Sequence, residues 1–334
     1  MKSGMFAQAG VTGENLVQIA ADVQDVETLL KDFVGSPIEV VQKSLRHTLD
    51  AGGKRLRPAF LVLSARATGL QFERRRALTL GACMEMVHMA TLIHDDVIDE
   101  AATRRGRPTA SHLFGNTASI LSGDVLLARA MQLLAEDGDI EIIRLSSKMV
   151  VEMAEGEARE VEIRGNLELS LEDHLHVLRM KTAAFVECCC QIGGMVAGAD
   201  RSTVDALGRY GHHLGIAFQL VDDLLDYRGL VEATGKPKAT DFREGCATMP
   251  LLQVLPKLNQ AEHQFVRENF GTNCGDEAIA KVCALLESYG GYAEADQLAE
   301  EHLAKALEAL RVLPQNSHRD LLEAAGRFVI QRKT

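Results

Sequence analysis

Apolar positions step by threes and fours along most of this chain, and no run alternates strictly between apolar and polar. Leu16, Ile19, Val23, Val26, Leu30 and Phe33 trace one amphipathic helix, closed by Gly35, Ser36 and Pro37. A second helix follows, up to the glycine break Ala51-Gly52-Gly53. Arg57 to Ala101 reads as two helices separated by a turn near Gly69, and Thr103 to Pro108 as a basic loop. Further helices are expected over 120–135, 141–163, 171–198, 204–227 and 251–258. A loop is expected over 234–248, with helix again in the C-terminal third. The predicted class is therefore all-α. No Pro/Ser-rich linker or composition shift divides the chain. One domain over 1–334 is expected, with about 14 flexible residues at its start.

Composition supports helix: prolines number seven in 334 residues, and hydrophobic residues make up 46%. The formal charge of −11 comes with no basic stripe, which argues against a nucleic-acid partner. An acidic protein that binds anions must do so through local Lys/Arg clusters or metal ions. The N-terminus lacks an apolar signal core. The most apolar stretch, Phe185 to Ala199, is short and carries Glu187, so it reads as a buried helix and no transmembrane segment is expected. Seven cysteines, three of them consecutive at Cys188, Cys189 and Cys190, show no C-x-x-C zinc spacing. They read as reduced thiols in a cytoplasmic protein.

Two acidic clusters stand out. Asp95, Asp96 and Asp99 form D-D-x-x-D within LIHDDVID, and Asp222, Asp223 and Asp226 repeat the spacing in FQLVDDLLDY. On a helix the first and last aspartates share a face, about 6 Å apart along the axis. Like carboxylates one turn apart repel unless cations neutralise them. One such cluster is readily a solvated acidic face, but two, each bracketed by strongly apolar residues, favour Mg²⁺ held by carboxylate oxygens together with a substrate diphosphate. No central glycine of a calcium loop is present. Basic groups follow glycine breaks or flank the acidic helices: Lys54, Arg55 and Arg57; Arg104 and Arg105; Lys181 beside Thr182; and Lys236. Any one alone reads as a surface charge. Arginine grips phosphate as a planar fork, lysine as a point charge.

Seven stretches occur together: GGKRLRP (52–58), LIHDDVIDEAATRRGRPT (92–109), GDVLLARA (123–130), EGEARE (155–160), KTA (181–183), FQLVDDLLDY (218–227) and GKPKATDF (235–242). In this order and spacing the chain resembles the trans-prenyl diphosphate synthase (polyprenyl synthetase) family. The likeness runs from about residue 15 to the C-terminus and is greatest to its bacterial octaprenyl branch. It implies a helical bundle of the isoprenoid synthase type around a central substrate cavity. It also implies Mg²⁺-dependent elongation of an allylic diphosphate with isopentenyl diphosphate, and a homodimer that meets a membrane only peripherally, for product release.

The resemblance further implies roles. Asp95, Asp99 and Asp222, assisted by Asp96, Asp223 and Asp226, would hold three Mg²⁺ ions around the allylic diphosphate. Arg104, Lys181 and Lys236 would grip the same group. Lys54, Arg57, His88 and Arg105 would cradle isopentenyl diphosphate. Thr182 and Gln219 would lie near the reacting carbons, with Phe218 flanking the isopentenyl unit. Glu157 and Glu160 match positions close to the metals. His88 alone would read as a core histidine.

Two departures from the family pattern are Cys246, where a lysine is usual, and Ala239, where a glycine is usual. The missing phosphate contact could come from Lys238 or Arg243. Product length in the family depends on the residues four and five before the first motif aspartate. Thr91 and Ala90 are both small, which implies a long product. Met84 and Met131 could line or end the tunnel, or simply fill core. A terpene cyclase would want more aromatic walls than no Trp, four Tyr and eleven Phe provide. A non-catalytic partner subunit would be expected to lose motif aspartates, and a helical binding scaffold predicts no Mg²⁺-dependent diphosphate affinity.

Overall fold

The computed structural model describes residues 14–229 and 238–331. The fold is all-α, as the periodicity predicts: strand is confined, among the described residues, to a two-residue hairpin. The chain groups into two compact units. One comprises Met1–Ser146, Cys189–Leu207 and Val312–Ala324, and the other Ser147–Cys188, Gly208–Arg311 and Ala325–Thr334.

In the first unit, α1 (Glu14–Phe33), α2 (Glu39–Asp50), α3 (Leu56–Ala67) and α4 (Arg74–Ile98) lead to the hairpin β1 (Thr103–Arg104) and β2 (Arg107–Pro108). Then come α5 (Ala110–Phe114), α6 (Asn116–Asp137) and the start of α7 (Ile140–Ile163). The central element is α4, which packs on α1, α3 and α6. From Ala77 to Ala90 its residues are mostly apolar and buried on nearly every side, Glu85 being the buried charge. Glycines set its close contacts. A Cβ on Gly81 would lie 3.0 Å from Pro58, and one on Gly123 of α6 would lie 2.2 Å from the His94 ring.

The expected basic loop is a hairpin pairing Thr103 with Pro108 and Arg104 with Arg107. Its two turn residues, Arg105 (φ 54°) and Gly106 (φ 73°), take the left-handed conformation that a two-residue turn between twisted strands requires. His47 meets the Pro108 carbonyl at 2.8 Å, Arg107 donates to the Asp50 carbonyl at 3.0 Å, and Arg105 donates to the Gly52 carbonyl. These contacts pin the hairpin to the glycine break after α2.

The chain continues through α7 into α8 (Leu171–Leu178), a π-turn over Arg179–Ala183 and α9 (Ala184–Val196), with Ser147–Cys188 in the second unit and Cys189–Leu207 in the first. Next come α10 (Arg201–Arg228), α11 (Thr240–Glu244) and α12 (Met249–Val254). Four further helices follow: α13 (Gln260–Asn269), α14 (Asp276–Ser288), α15 (Gly291–Ala309) and α16 (Ser317–Gln331), the last belonging to the first unit as far as Ala324. The expected single helix over 171–198 is thus interrupted by the π-turn, and the expected loop over 234–248 contains α11. Tyr227, Phe242, Leu251, Val254, Val282 and Ala295 anchor the core of the second unit. Ala239 sits there fully buried at φ 52°, ψ 47°, a left-handed backbone that explains why glycine is usual at this position.

Candidate active site

The first unit gathers the first acidic motif and most of the arginines. Asp95 and Asp96 close the last turn of α4, and Asp99 is its C-cap, donating its N–H to the Asp95 carbonyl at 2.8 Å. Asp95 is half-buried and Asp99 exposed, whereas Asp96 is buried and takes Arg104 Nε on Oδ1 at 2.5 Å. Burial raises the Asp96 carboxyl, and Arg104 opposes that shift.

Behind these lies a nest of guanidinium groups. The sequence groups Arg55 with Lys54 and Arg57 as anion binders, but the structure turns Arg55 inward. Its backbone is left-handed (φ 49°, ψ 42°) at the N-cap of α3 and its side chain is 3% exposed. It bridges Glu27 at 2.6 Å and Glu85 at 2.8 Å. Lys54, by contrast, is exposed and Arg57 half-buried. A Cβ on Gly53 would lie 3.2 Å from both the Arg55 and the Arg105 guanidinium, so the backbone there passes between the two. Burial, and then Arg57, Arg105, Arg55 and Arg104, push His88 well below the ordinary histidine range. Held neutral, it is a hydrogen-bonding group and not a cation.

The second unit gathers the second acidic motif with Lys181. The π-turn that carries Lys181 and Thr182 is wedged against two glycines. A Cβ on Gly156 of α7 would lie 2.7 Å from Met180 Cβ, and one on Gly215 of α10 would lie 2.5 Å from Ala183 Cα. Such approach brings Lys181 Nζ to Glu157 at 2.8 Å and Glu160 at 2.7 Å. Although burial opposes its charge, these two carboxylates raise the Lys181 ammonium above its usual range.

Thr182 donates to Gln219 Oε1 at 3.2 Å, and Gln219 Nε2 donates to Asp223 Oδ1 at 3.3 Å. Asp223 is 2% exposed and meets His174 Nε2 of α8 at 3.0 Å. Asp226 accepts the backbone N–H groups of Thr240 and Asp241, each at 3.1 Å, and so starts α11. Asp222 and Phe218 are half-buried on the same helix.

Of the remaining candidates, Ala90 and Met84 are fully buried on α4, while Thr91 and Met131 are half-buried. Lys236 lies outside the described residues. Arg243 donates to the Cys274 carbonyl and to Asp276 at 2.9 Å, and Lys238 is exposed. Cys246 donates its N–H to the Asp241 carbonyl at 2.8 Å. Its thiol is pushed up to about 12 by burial, then by Glu160 and Asp241.

Sequence reasoning missed His174, Glu27, Glu85 and the glycines Gly156 and Gly215. The donor set fits Mg²⁺. The acidic motifs offer hard carboxylate oxygens only, and among the described residues no three His, Cys, Asp or Glu side chains form a ready cage. Mg²⁺ is commonly held by one or two carboxylates plus substrate phosphates, which suits this arrangement.

Residues 38–286 match the family model described as Polyprenyl synthetase. The octaprenyl diphosphate synthase of Escherichia coli is 34% identical over 313 residues, covering 94% of this chain and 96% of that protein. Among solved structures, a decaprenyl diphosphate synthase from Rhodobacter capsulatus superposes with TM-score 0.89 at 35% identity, covering 95% of this chain and 98% of that one. A polyprenyl synthase from Caulobacter crescentus, complexed with calcium and isoprenyl diphosphate, gives TM-score 0.90 at 33% identity, covering 100% of both chains.

Proposed function

Because the chain belongs to the polyprenyl synthetase family and is a prenyltransferase, we propose that it lengthens an allylic diphosphate of the farnesyl or geranylgeranyl class with successive isopentenyl diphosphate units. The product is a long all-trans polyprenyl diphosphate. The observation that carries this reading is that the motif residues fall on built features: two aspartate triads at helix ends, a guanidinium nest beside the first, and Lys181 with Thr182 on a glycine-seated π-turn.

In this reading Asp95, Asp99 and Asp222 would hold three Mg²⁺ ions, which would supply charge neutralisation to the departing diphosphate. Arg104, Lys181 and Lys236 grip that same diphosphate. Lys54, Arg57 and Arg105 take isopentenyl diphosphate, with neutral His88 donating or accepting a hydrogen bond beside them. The allylic carbon–oxygen bond breaks with both electrons leaving on diphosphate. The isopentenyl double bond then attacks the cation, and loss of one proton, which the released diphosphate takes, regenerates an allylic diphosphate.

Small Ala90 and Thr91 support a long product over the alternative of a geranylgeranyl or farnesyl length. Ile120 (43% exposed) and Leu121 (50% exposed) offer apolar surface on α6 to a second copy, supporting a homodimer. A cytoplasmic location with peripheral membrane contact at product release completes the proposal. The test is incubation of purified protein with labelled isopentenyl diphosphate, farnesyl or geranylgeranyl diphosphate and Mg²⁺, followed by sizing of the dephosphorylated alcohols. Long alcohols are the expected result, and absence of any incorporation would overturn the reading.

A further inference from the structure

A four-residue hydrogen-bond chain in the second unit reaches Thr182 from a residue that no motif contains. Asp223, when ionised, can only accept, so the imidazole of His174 carries its hydrogen on Nε2 and donates it to Asp223 Oδ2 at 3.0 Å. The other carboxylate oxygen takes the Gln219 amide N–H at 3.3 Å, which fixes the amide's orientation. The amide oxygen, so directed, accepts the Thr182 hydroxyl hydrogen at 3.2 Å. The Thr182 hydroxyl hydrogen is thereby committed, and the hydroxyl presents only lone pairs to whatever lies beyond it. Its two inner members are buried, His174 at 6% and Asp223 at 2% exposure, so water does not compete for these bonds. The four residues come from α8, the π-turn and α10, elements that must hold station for Thr182 to keep its place.

We propose that His174 is a positioning residue: acting through Asp223 and Gln219, it sets the rotamer and the hydrogen direction of Thr182. This rests on the prenyltransferase reading, in which Thr182 and Gln219 stand near the reacting carbons. There the polarity of the chain has chemical meaning. A lone pair facing an allylic carbon stabilises positive charge as the carbon–oxygen bond breaks, whereas a hydroxyl hydrogen facing it would oppose that charge. Without His174, Asp223 is free to turn, the Gln219 amide loses its anchor, and Thr182 loses its fixed direction. The effect falls on the ionisation step and not on either diphosphate grip, which is made by other side chains.

The experiment is steady-state kinetics on the full chain with isopentenyl diphosphate, farnesyl diphosphate and Mg²⁺. It compares wild type, His174→Phe, His174→Gln, Thr182→Val and the double variant His174→Phe/Thr182→Val, with thermal melts of each. For His174→Phe, kcat is expected to fall by about tenfold or more while both KM values stay within about twofold. His174→Gln, which keeps a donor, should recover much of the loss. In the Thr182→Val background, His174→Phe should add less than about twofold, because the two act as one unit.

Multiplicative losses in the double variant would overturn the proposal. So would an equal rise in both KM values, or an unchanged kcat in a folded His174→Phe protein. Should His174→Phe not fold, His174→Leu, which also removes the donor, and its double variant with Thr182→Val carry the same test. Wild-type protein that condenses no isopentenyl diphosphate would defeat the functional reading itself, an outcome distinct from any of these.

Discussion

Replacing Gly215 by alanine should damage turnover more than it damages the fold. The added methyl would stand 2.5 Å from Ala183 Cα, 3.0 Å from its Cβ and 3.3 Å from its N–H nitrogen. Carbon atoms rest at about 3.5–4.0 Å, so α10 and the π-turn must separate by roughly 1 Å. Overpacking of this kind costs about 1–3 kcal/mol. Alanine returns about 1 kcal/mol of helix propensity to the interior of α10. The net loss is therefore about 0–2 kcal/mol, which at roughly 2–4 °C per kcal/mol lowers the melting midpoint by a few degrees.

The displaced backbone is that of the turn carrying Lys181 and Thr182. A misplacement of about 1 Å at a reacting centre can cost on the order of 100-fold. Turnover of Gly215→Ala, measured by isopentenyl incorporation beside a thermal melt, is expected to drop at least tenfold while the protein stays folded. Gly275, whose Cβ would meet nothing within 4 Å, supplies the control. Gly275→Ser sits at the N-cap of α14 and should gain a few tenths of a kcal/mol with unchanged turnover. Wild-type turnover in Gly215→Ala would refute the claim that glycine-allowed contact places the turn.

Other perturbations separate the remaining claims. Arg55→Lys keeps the charge but replaces the fork that reaches Glu27 through Nε and Glu85 through Nη1 with a single ammonium nitrogen. It should raise KM for isopentenyl diphosphate by about tenfold while leaving the allylic KM alone, and an unchanged KM would make Arg55 a bystander. Ala90→Phe, about 7.5 Å down α4 from Asp95, should shorten the product to about three or four units, and a product unchanged on chromatography would remove Ala90 from the tunnel wall. Cys246, its thiol pushed up to about 12, should react with iodoacetamide about a thousandfold more slowly at pH 8 than an ordinary thiol, and rapid labelling would contradict its burial.

His213 and His302 meet at 3.2 Å. Burial pushes both down to about 4, His213 also under His212, His302, Lys305 and Arg209, and His302 under Lys305 and His212 against Glu301. Unfolded histidine titrates near 6.5, so the unfolded chain takes up protons first as pH falls. The folded state should keep its full margin above about pH 6.5 and lose it progressively toward pH 4. Urea midpoints should show this slope in wild type and a shallower one in His213→Gln, and identical slopes would dismiss the pair as its source.

Helix positions were legible because a buried stripe imposes its period on the sequence, and α1, α7 and α10 follow that period closely. The aspartate motifs were legible because residue type and spacing alone define them. What escaped depends on partners far along the chain. His174 is one histidine on an amphipathic helix, and its partner Asp223 lies 49 positions away. The π-turn has no local signature, since it is packing against Gly156 and Gly215 that accommodates it. The hairpin was hidden because its first turn residue is Arg105, where a sequence reader looks for Asn or Asp before glycine. The sequence groups Arg55 with its neighbours as an anion binder, yet a left-handed backbone at that one residue turns it toward Glu27 and Glu85.

The two aspartate motifs meet the same electrostatic difficulty in the same way. Two carboxylates about 6 Å apart repel by about 3 kcal/mol at an effective dielectric near 20, and each motif crowds three into little more than one turn. In the first, Asp96 turns inward and is neutralised by Arg104. In the second, Asp223 turns inward to His174 and Gln219, and Asp226 spends its charge on two backbone N–H groups. The inner aspartates thus stiffen the helix ends and relieve repulsion before any cation arrives. This division carries a cost at Arg104: to grip a diphosphate it must share or surrender Asp96, whose carboxyl burial already raises. A ligand that draws Arg104 away leaves Asp96 buried without its counter-charge, so substrate affinity at this position is set against the integrity of the motif. Arg104→Lys, a point charge in place of a fork, should weaken both together.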